Sequence, residues 1–268
     1  MPFLKKNLTF LVTILLLTLT GCNLFQKSPT EIHLPFGNPS NASNSTDNPN
    51  NYLMEKPQYV LSYNRDRGTP NWVSWQLKKS WLGSSDRQDD FRPDESLPEG
   101  WYRVGPNDYR NSGFDRGHLA PSADRSAKET DNSATFVMTN MMPQSPKNNR
   151  DTWRELEEYS RKLVKGGKEL YIIAGSYGSR GKLAGGKVTI PKRTWKIIVV
   201  LEPGSGPRGI NKNTRVIAVD MQNTERIGTD WKRYLVSVDK IEAATGYDFL
   251  SKVPKEIQDV IEARVDGN

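Results

Sequence analysis

The sequence predicts one mixed α/β domain carried behind an N-terminal export signal, and three observations support that expectation. Short β-branched and aromatic runs bounded by Gly, Pro or polar residues recur after Leu53, which is the pattern of buried strands. Residues 152–164 change to a helical period instead. No linker or second change of composition interrupts the roughly 215 residues that begin at Leu53, so one domain fits better than two.

Taken in order, Lys5 and Lys6 precede a mostly apolar run over 8–19. That run is too short to span a bilayer comfortably but suits the hydrophobic region of a signal peptide. It leads to Leu19-Thr20-Gly21-Cys22, which resembles a bacterial lipobox. The resemblance implies removal of residues 1–21, lipidation of Cys22 and attachment to a membrane of the cell envelope: the outer membrane, the periplasm or the cell surface. An ordinary cleaved signal with an incidental cysteine is the alternative. Cys22 is the only cysteine, which excludes an intramolecular disulfide, a thiolate zinc site and a cysteine nucleophile. Residues 22–52 are dense in Asn, Ser and Pro without an apolar period. We therefore expect a flexible tether there and a folded domain over 53–268.

Within that domain, residues 59–63 and 72–77 read as strands, and 83–113 form a long irregular stretch of the kind that lines a site. Residues 134–138 read as a buried strand. The helix over 152–164 turns Trp153, Leu156, Ser160 and Leu163 inward, and 170–174, 195–201 and 216–219 read as central strands. Residues 256–265 close the chain as a helix entered at Pro254. The tryptophans at 72, 75, 81, 153, 195 and 231 are expected in the core. The glycines of 175–181 lack the Lys-Ser/Thr ending of a phosphate loop and read as a surface turn.

The composition, 35% hydrophobic and 26% charged, is globular, and the formal charge of +7 favours a polyanionic partner. Without Lys5 and Lys6 that charge is +5, and the preference stands. Of the two histidines, His33 falls in the expected tether, where nothing would hold it. His118 is thus the imidazole available to an active site.

The residues around His118 narrow the reading. Asp115-Arg116-Gly117-His118, the run from Met138 to Gln144, Asn148-Asn149-Arg150 and the Trp-x-x-Leu-Glu start of the following helix resemble the sugar-non-specific DNA/RNA endonucleases with a ββα-metal site. The likeness extends from about Tyr59 to Asp266 and is to the cyanobacterial, Anabaena-type branch rather than the Serratia type. It implies a mixed α+β fold with a central, largely antiparallel sheet flanked by helices. The implied activity is metal-dependent hydrolysis of DNA and RNA to 5′-phosphate and 3′-hydroxyl ends. The resemblance makes His118 the general base and Asn149 the sole direct protein ligand to Mg²⁺, with Mn²⁺ as a substitute. Glu157 becomes an outer-sphere partner through water, and Arg87, Arg116 and Arg161 surround the scissile phosphate; Arg92 competes with Arg87 for that role. Asp115, Asn140 and Gln144 match positions near the site, and a protein inhibitor is a further implied partner.

Elementary chemistry asks for the same parts: a base for the attacking water, cations for the non-bridging oxygens and a proton for the leaving oxygen. Planar guanidiniums grip phosphate oxygens bidentately. On a helix Glu157 and Arg161 are neighbours, and taken alone they would be an ordinary surface ion pair. Asn148 and Asn149 alone would be helix caps. Two further readings remain, a catalytically inactive nucleic-acid-binding envelope lipoprotein and a structural one; the first needs a broken site, the second an accidental polar cluster.

Overall fold

The computed structural model describes residues 27–267, so the signal and Cys22 lie outside the described residues. In chain order the elements are α1 (Pro29–His33), β1 (Tyr52–Lys56), β2 (Tyr59–Asn64), β3 (Thr69–Leu77), β4 (Asp115–His118), α2 (Glu129–Ser133), β5 (Met141–Gln144) and α3 (Arg154–Lys165). They continue with β6 (Glu169–Tyr177), a short hairpin of β7 (Lys182–Leu183) and β8 (Val188–Thr189), β9 (Arg193–Leu201), β10 (Arg215–Gln222), β11 (Leu235–Val236), α4 (Val238–Thr245) and α5 (Lys255–Ile261).

Seven strands form one sheet in the order β1-β2-β3-β6-β9-β10-β11, every neighbouring pair antiparallel. The expected α+β class with an antiparallel sheet is the observed one. Strand side chains alternate between faces, and both faces are buried. Ile198 and Val200 of β9 join Val73, Trp75, Ile172 and Ala174 in one core, which Leu156 of α3 and Trp153 just before it cover. Trp195, Ile197 and Val199 of the same strand join Trp72 and Tyr171 in a second core on the opposite face, covered by Val238, Ile241 and Ile261 of α4 and α5.

The flexible tether expected over 22–52 is corrected by its described part. Ser28 and Glu31 form a capping box at the start of α1, and Leu34, Phe36 and Ala42 pack into the second core. The asparagines and serines are ties rather than solvated spacers: Asn38 bonds both backbone groups of Ala42, and Ser40 accepts from the Trp72 indole at 2.8 Å. His33 is corrected with it. It is fully buried, accepts from the Gln76 amide at Nδ1 (3.1 Å) and donates from Nε2 to the Pro57 carbonyl (2.9 Å). Three apolar residues scattered among polar ones leave no period to read, although each fills a core position.

Residues 134–138 are not a strand. They form 3-10 turns, Ala134–Phe136 and Met138–Asn140, because the Asn140 amide donates to the Thr135 and Ala120 carbonyls and holds the chain folded. The expected helix over 152–164 is α3, with Leu156 and Ser160 inward as expected, but Val164 rather than Leu163 completes the buried stripe. The closing helix is shorter than expected, ending at Ile261 before Asp266 turns back to pair with Arg215. Five of the six tryptophans expected in the core are buried; Trp81 is half-buried.

Candidate active site

The functional side chains arise from two short strands and a helix on the α3 side of the sheet. β4 pairs with β5 so that His118 faces Met141 and Asp115 faces Gln144. Gly117 permits this pairing: a Cβ there would lie 2.2 Å from the Gln144 Oε1 and 2.6 Å from its Cβ. After β5 the chain makes a π-helical turn, Asn148–Trp153, which runs directly into α3. Turns of this kind inside helices are concentrated at functional sites. Asn148 is buried and donates to the Gln222 carbonyl at 2.9 Å, which leaves its neighbour Asn149 facing outward at the end of the strand pair.

His118 is only 9% exposed. Its ring stands edge-on to Phe136 at 4.9 Å and to Phe91 at 5.6 Å, and its buried Nε2 has no hydrogen-bond partner. Just after it, Asn140 accepts from the Ala120 amide and donates to the Ala120 carbonyl, fixing the backbone that follows the ring. Burial, then the Arg87 and Arg116 guanidiniums, press the imidazole pKa down to about 3. At neutral pH the ring is therefore an uncharged proton acceptor.

Arg87, Phe91, Arg110, Asp115, Arg116 and Asn149 line a cleft of about 710 Å³. The Arg116 guanidinium lies 3.9 Å from the Phe91 ring centroid, so its face is held by stacking while its N–H edge remains available to an anion. Arg87 lies 4.8 Å from the Phe136 ring and donates to Ser122 Oγ at 2.9 Å. Arg92 is not at this cleft; its guanidinium is spent on Asp90 and the Ser133 carbonyl. Asn149 donates from Nδ2 to Asp115 at 2.9 Å, and Asp115 also takes a bidentate pair from Arg150 at 2.8 and 2.6 Å. An amide whose nitrogen is committed to a carboxylate must present its oxygen elsewhere. That oxygen, in a wide polar cleft, suits a hard cation that keeps most of its water.

Glu157 and Arg161 do not line this cleft. Glu157 is 12% exposed and pairs across the core with Lys196 of β9 at 3.5 Å. Burial raises its carboxyl above the ordinary range while Lys196 and Arg161 pull it back. Arg161 pairs with Asp124 at 3.0 Å, and Asp124 also accepts from the Trp75 indole at 3.0 Å. Arg161 and Lys165 line an adjoining cavity of about 370 Å³ that shares Arg87 with the first. The two hollows therefore adjoin at Arg87. Sequence reasoning missed Lys196, Asp124 and the two phenylalanines around His118. Only Lys196 left a signal, a cation inside an otherwise apolar central strand.

Two strands crossed by a helix, with a histidine on one and an asparagine at the helix entry, match the family comparison. The family model described as DNA/RNA non-specific endonuclease matches residues 37–256. The chain belongs to the DNA/RNA non-specific endonuclease family. This endonuclease-family chain is 57% identical over 266 residues to a nuclease of Nostoc sp. (strain PCC 7120 / SAG 25.82 / UTEX 2576), covering 96% of this chain and 97% of that one. It is 33% identical to human mitochondrial endonuclease G, over 75% of this chain and 70% of the relative. A crystal structure of an EndoG/EndoGI complex, which concerns the mechanism of EndoG inhibition, superposes with a TM-score of 0.70 at 26% identity, covering 85% of this chain and 93% of that one. Membership makes the chain an endonuclease of nucleic acids.

Proposed function

We propose that the chain hydrolyses phosphodiester bonds in both DNA and RNA without regard to sequence or sugar, leaving 5′-phosphate and 3′-hydroxyl ends. One observation carries this reading: an uncharged, nearly buried His118 packed against Phe91, on a strand whose Asp115 and Arg116 line the same cleft as Phe91, Arg87 and Asn149. His118 accepts the proton of the attacking water. Arg116 and Arg87 hold the scissile phosphate, and Arg161 meets the same strand in the adjoining cavity. Asn149 Oδ1 would hold the metal, and Glu157, held by Lys196 outside the cleft lining, would act on it only through intervening water. Magnesium, when bound, supplies Lewis-acid charge at the phosphate, and manganese can take its place.

Cleavage of plasmid DNA and of ribosomal RNA tests the reading, with Mg²⁺ or EDTA and with His118→Ala and Asn149→Ala beside the wild type. We expect each variant to stay folded and to lose at least about 100-fold in rate on both polymers, the scale on which a positioned base or metal shell contributes. A wild-type protein that binds both polymers and cuts neither with any divalent metal would overturn it.

Two further readings rest on the sequence and the relatives. Lys5, Lys6, the apolar run and Leu19-Thr20-Gly21-Cys22 support export and lipid anchoring through Cys22 in the cell envelope; loss of labelled fatty acid from Cys22→Ser is the expected check. The complex of EndoG with EndoGI supports a protein inhibitor as a partner of this chain too, one whose acidic groups would occupy the arginine-lined cleft.

A further inference from the structure

On the other side of the sheet, α4 begins where α5 ends. Ser237 caps α4, so Asp239 and Glu242 fall on its first turn and a half, while Glu262 is the residue that caps α5. The two ends are joined by a backbone bond from the Asp239 amide to the Glu262 carbonyl at 3.3 Å. One carboxylate oxygen from each of Asp239, Glu242 and Glu262 lies within 4.8 Å of the other two. Three carboxyl groups converge, and among the described residues none of them is in a salt bridge with a cationic side chain; Lys255, at the start of α5, is engaged with Asp259.

Glu262 supplies a separate indication of a ligand. Its side chain is 6% exposed, and its buried Oε1 has no hydrogen-bond partner. A buried, unpartnered carboxylate oxygen is among the costliest groups a fold can carry. Glu242 is already oriented, since its Oε1 accepts from the Phe249 amide at 2.7 Å, and Asp239 is open to solvent. Burial first, then the facing carboxylates Glu242, Asp239 and Asp248 against a partial offset from Lys255, push the Glu262 pKa up to about 8, so a cation binding there at neutral pH would displace a proton.

We propose that Asp239, Glu242 and Glu262 bind one calcium ion, on the face of the sheet opposite the catalytic cleft. Oxygen donors alone select a hard cation. Calcium accepts an irregular shell of oxygens at about 2.4 Å, which three carboxylates from two helix ends can supply, whereas magnesium demands near-octahedral order at about 2.0 Å. Asp239 leaves room for the waters that complete a calcium shell. The ion would clasp the start of α4 to the end of α5, two elements that cover the second core through Val238, Ile241 and Ile261. Its effect is on stability and not on the chemical step.

The test uses the full chain carrying Asn149→Ala, so that calcium at the proposed catalytic metal position does not enter the measurement. After removal of divalent ions by chelation, calcium binding is followed by titration calorimetry and by thermal unfolding. We expect one equivalent to bind and the midpoint to rise by about 3–5 °C at ten times Kd. Asp239→Asn, a substitution at an exposed position, is expected to weaken binding about tenfold and cut the midpoint rise to about a third, and Glu262→Gln to abolish both. No calorimetric binding up to about 10 mM calcium, beyond even the weakest extracellular sites, would sink the proposal. Undiminished binding in the Asp239→Asn, Glu262→Gln double variant would sink it equally.

Discussion

His118 works among positive neighbours, and that has a consequence for its pH dependence. Its pKa is depressed to about 3 by burial, Arg87 and Arg116, so the neutral form that accepts a proton persists well below the pH at which a free imidazole charges. The acid limb of kcat/KM due to this group is therefore expected below about pH 5 and not near 6.5. Arg87→Ala removes one of the two repelling charges. The limb should then move upward toward 6.5 as the overall rate falls; a limb that stays in place would show that the guanidinium does not tune the ring. At this scale the sequence was informative wherever a residue type was scarce or adjacent to its partner. His118 stood out as one of two histidines, and Asn149 stood beside a helix start. Phe91 and Phe136 were not legible, because their contact with the ring is made only when the irregular stretch folds over β4.

At the scale of elements, the N-terminal segment changes what can be removed. A chain beginning at Leu53 lacks His33, Leu34, Phe36 and Ala42, all buried, whereas one beginning at Ser28 keeps them. We expect the shorter chain to be insoluble or to melt far earlier, and the longer one to behave as the intact domain. The same segment carries an acid sensitivity. His33 is buried neutral with a pKa lowered to about 4, by burial first and then by Arg125. Below about pH 6.5 the unfolded chain takes up a proton that the folded chain refuses, so stability falls as pH drops from about 6.5 to 4 and levels off below. The loss is about 3 kcal/mol at most. Urea unfolding at pH 7 and at pH 4.5 should show this loss in the wild type, with His33→Phe lacking its share. Strands were readable here because apolar alternation needs no partner to be seen. The turns over 134–140 were not, since they are held by the side chain of Asn140 and an apolar run gives no warning of that.

For the molecule as a whole, the excess of 38 basic over 31 acidic residues predicts binding through counterion release. With the His118→Ala protein, which the proposed role of this residue predicts to be cleavage-silent, log Kd for duplex DNA should rise linearly with log salt. Arg116→Ala should lower that slope by about one contact without altering preference among sequences. A slope unchanged by the substitution would place the phosphates elsewhere. A single mixed α/β domain and most of its strands were legible from spacing and the antiparallel sheet only through the family resemblance, but which sheet face carried the site was not, because the sequence does not say which way α3 lies.

The Lys196–Glu157 and Arg161–Asp124 pairs settle that last question in a way no apolar contact could. Leucines and tryptophans tolerate a helix displaced along its axis; buried charges one turn apart do not, since any displacement strands both at once. The quartet is a registration mark. It indexes α3 against β9 through Lys196 and against the turn that follows β4 through Asp124, and because the π-helical turn is continuous with α3, the same mark sets where Asn149 stands relative to β4, although none of the four lines the cleft that Asn149 lines.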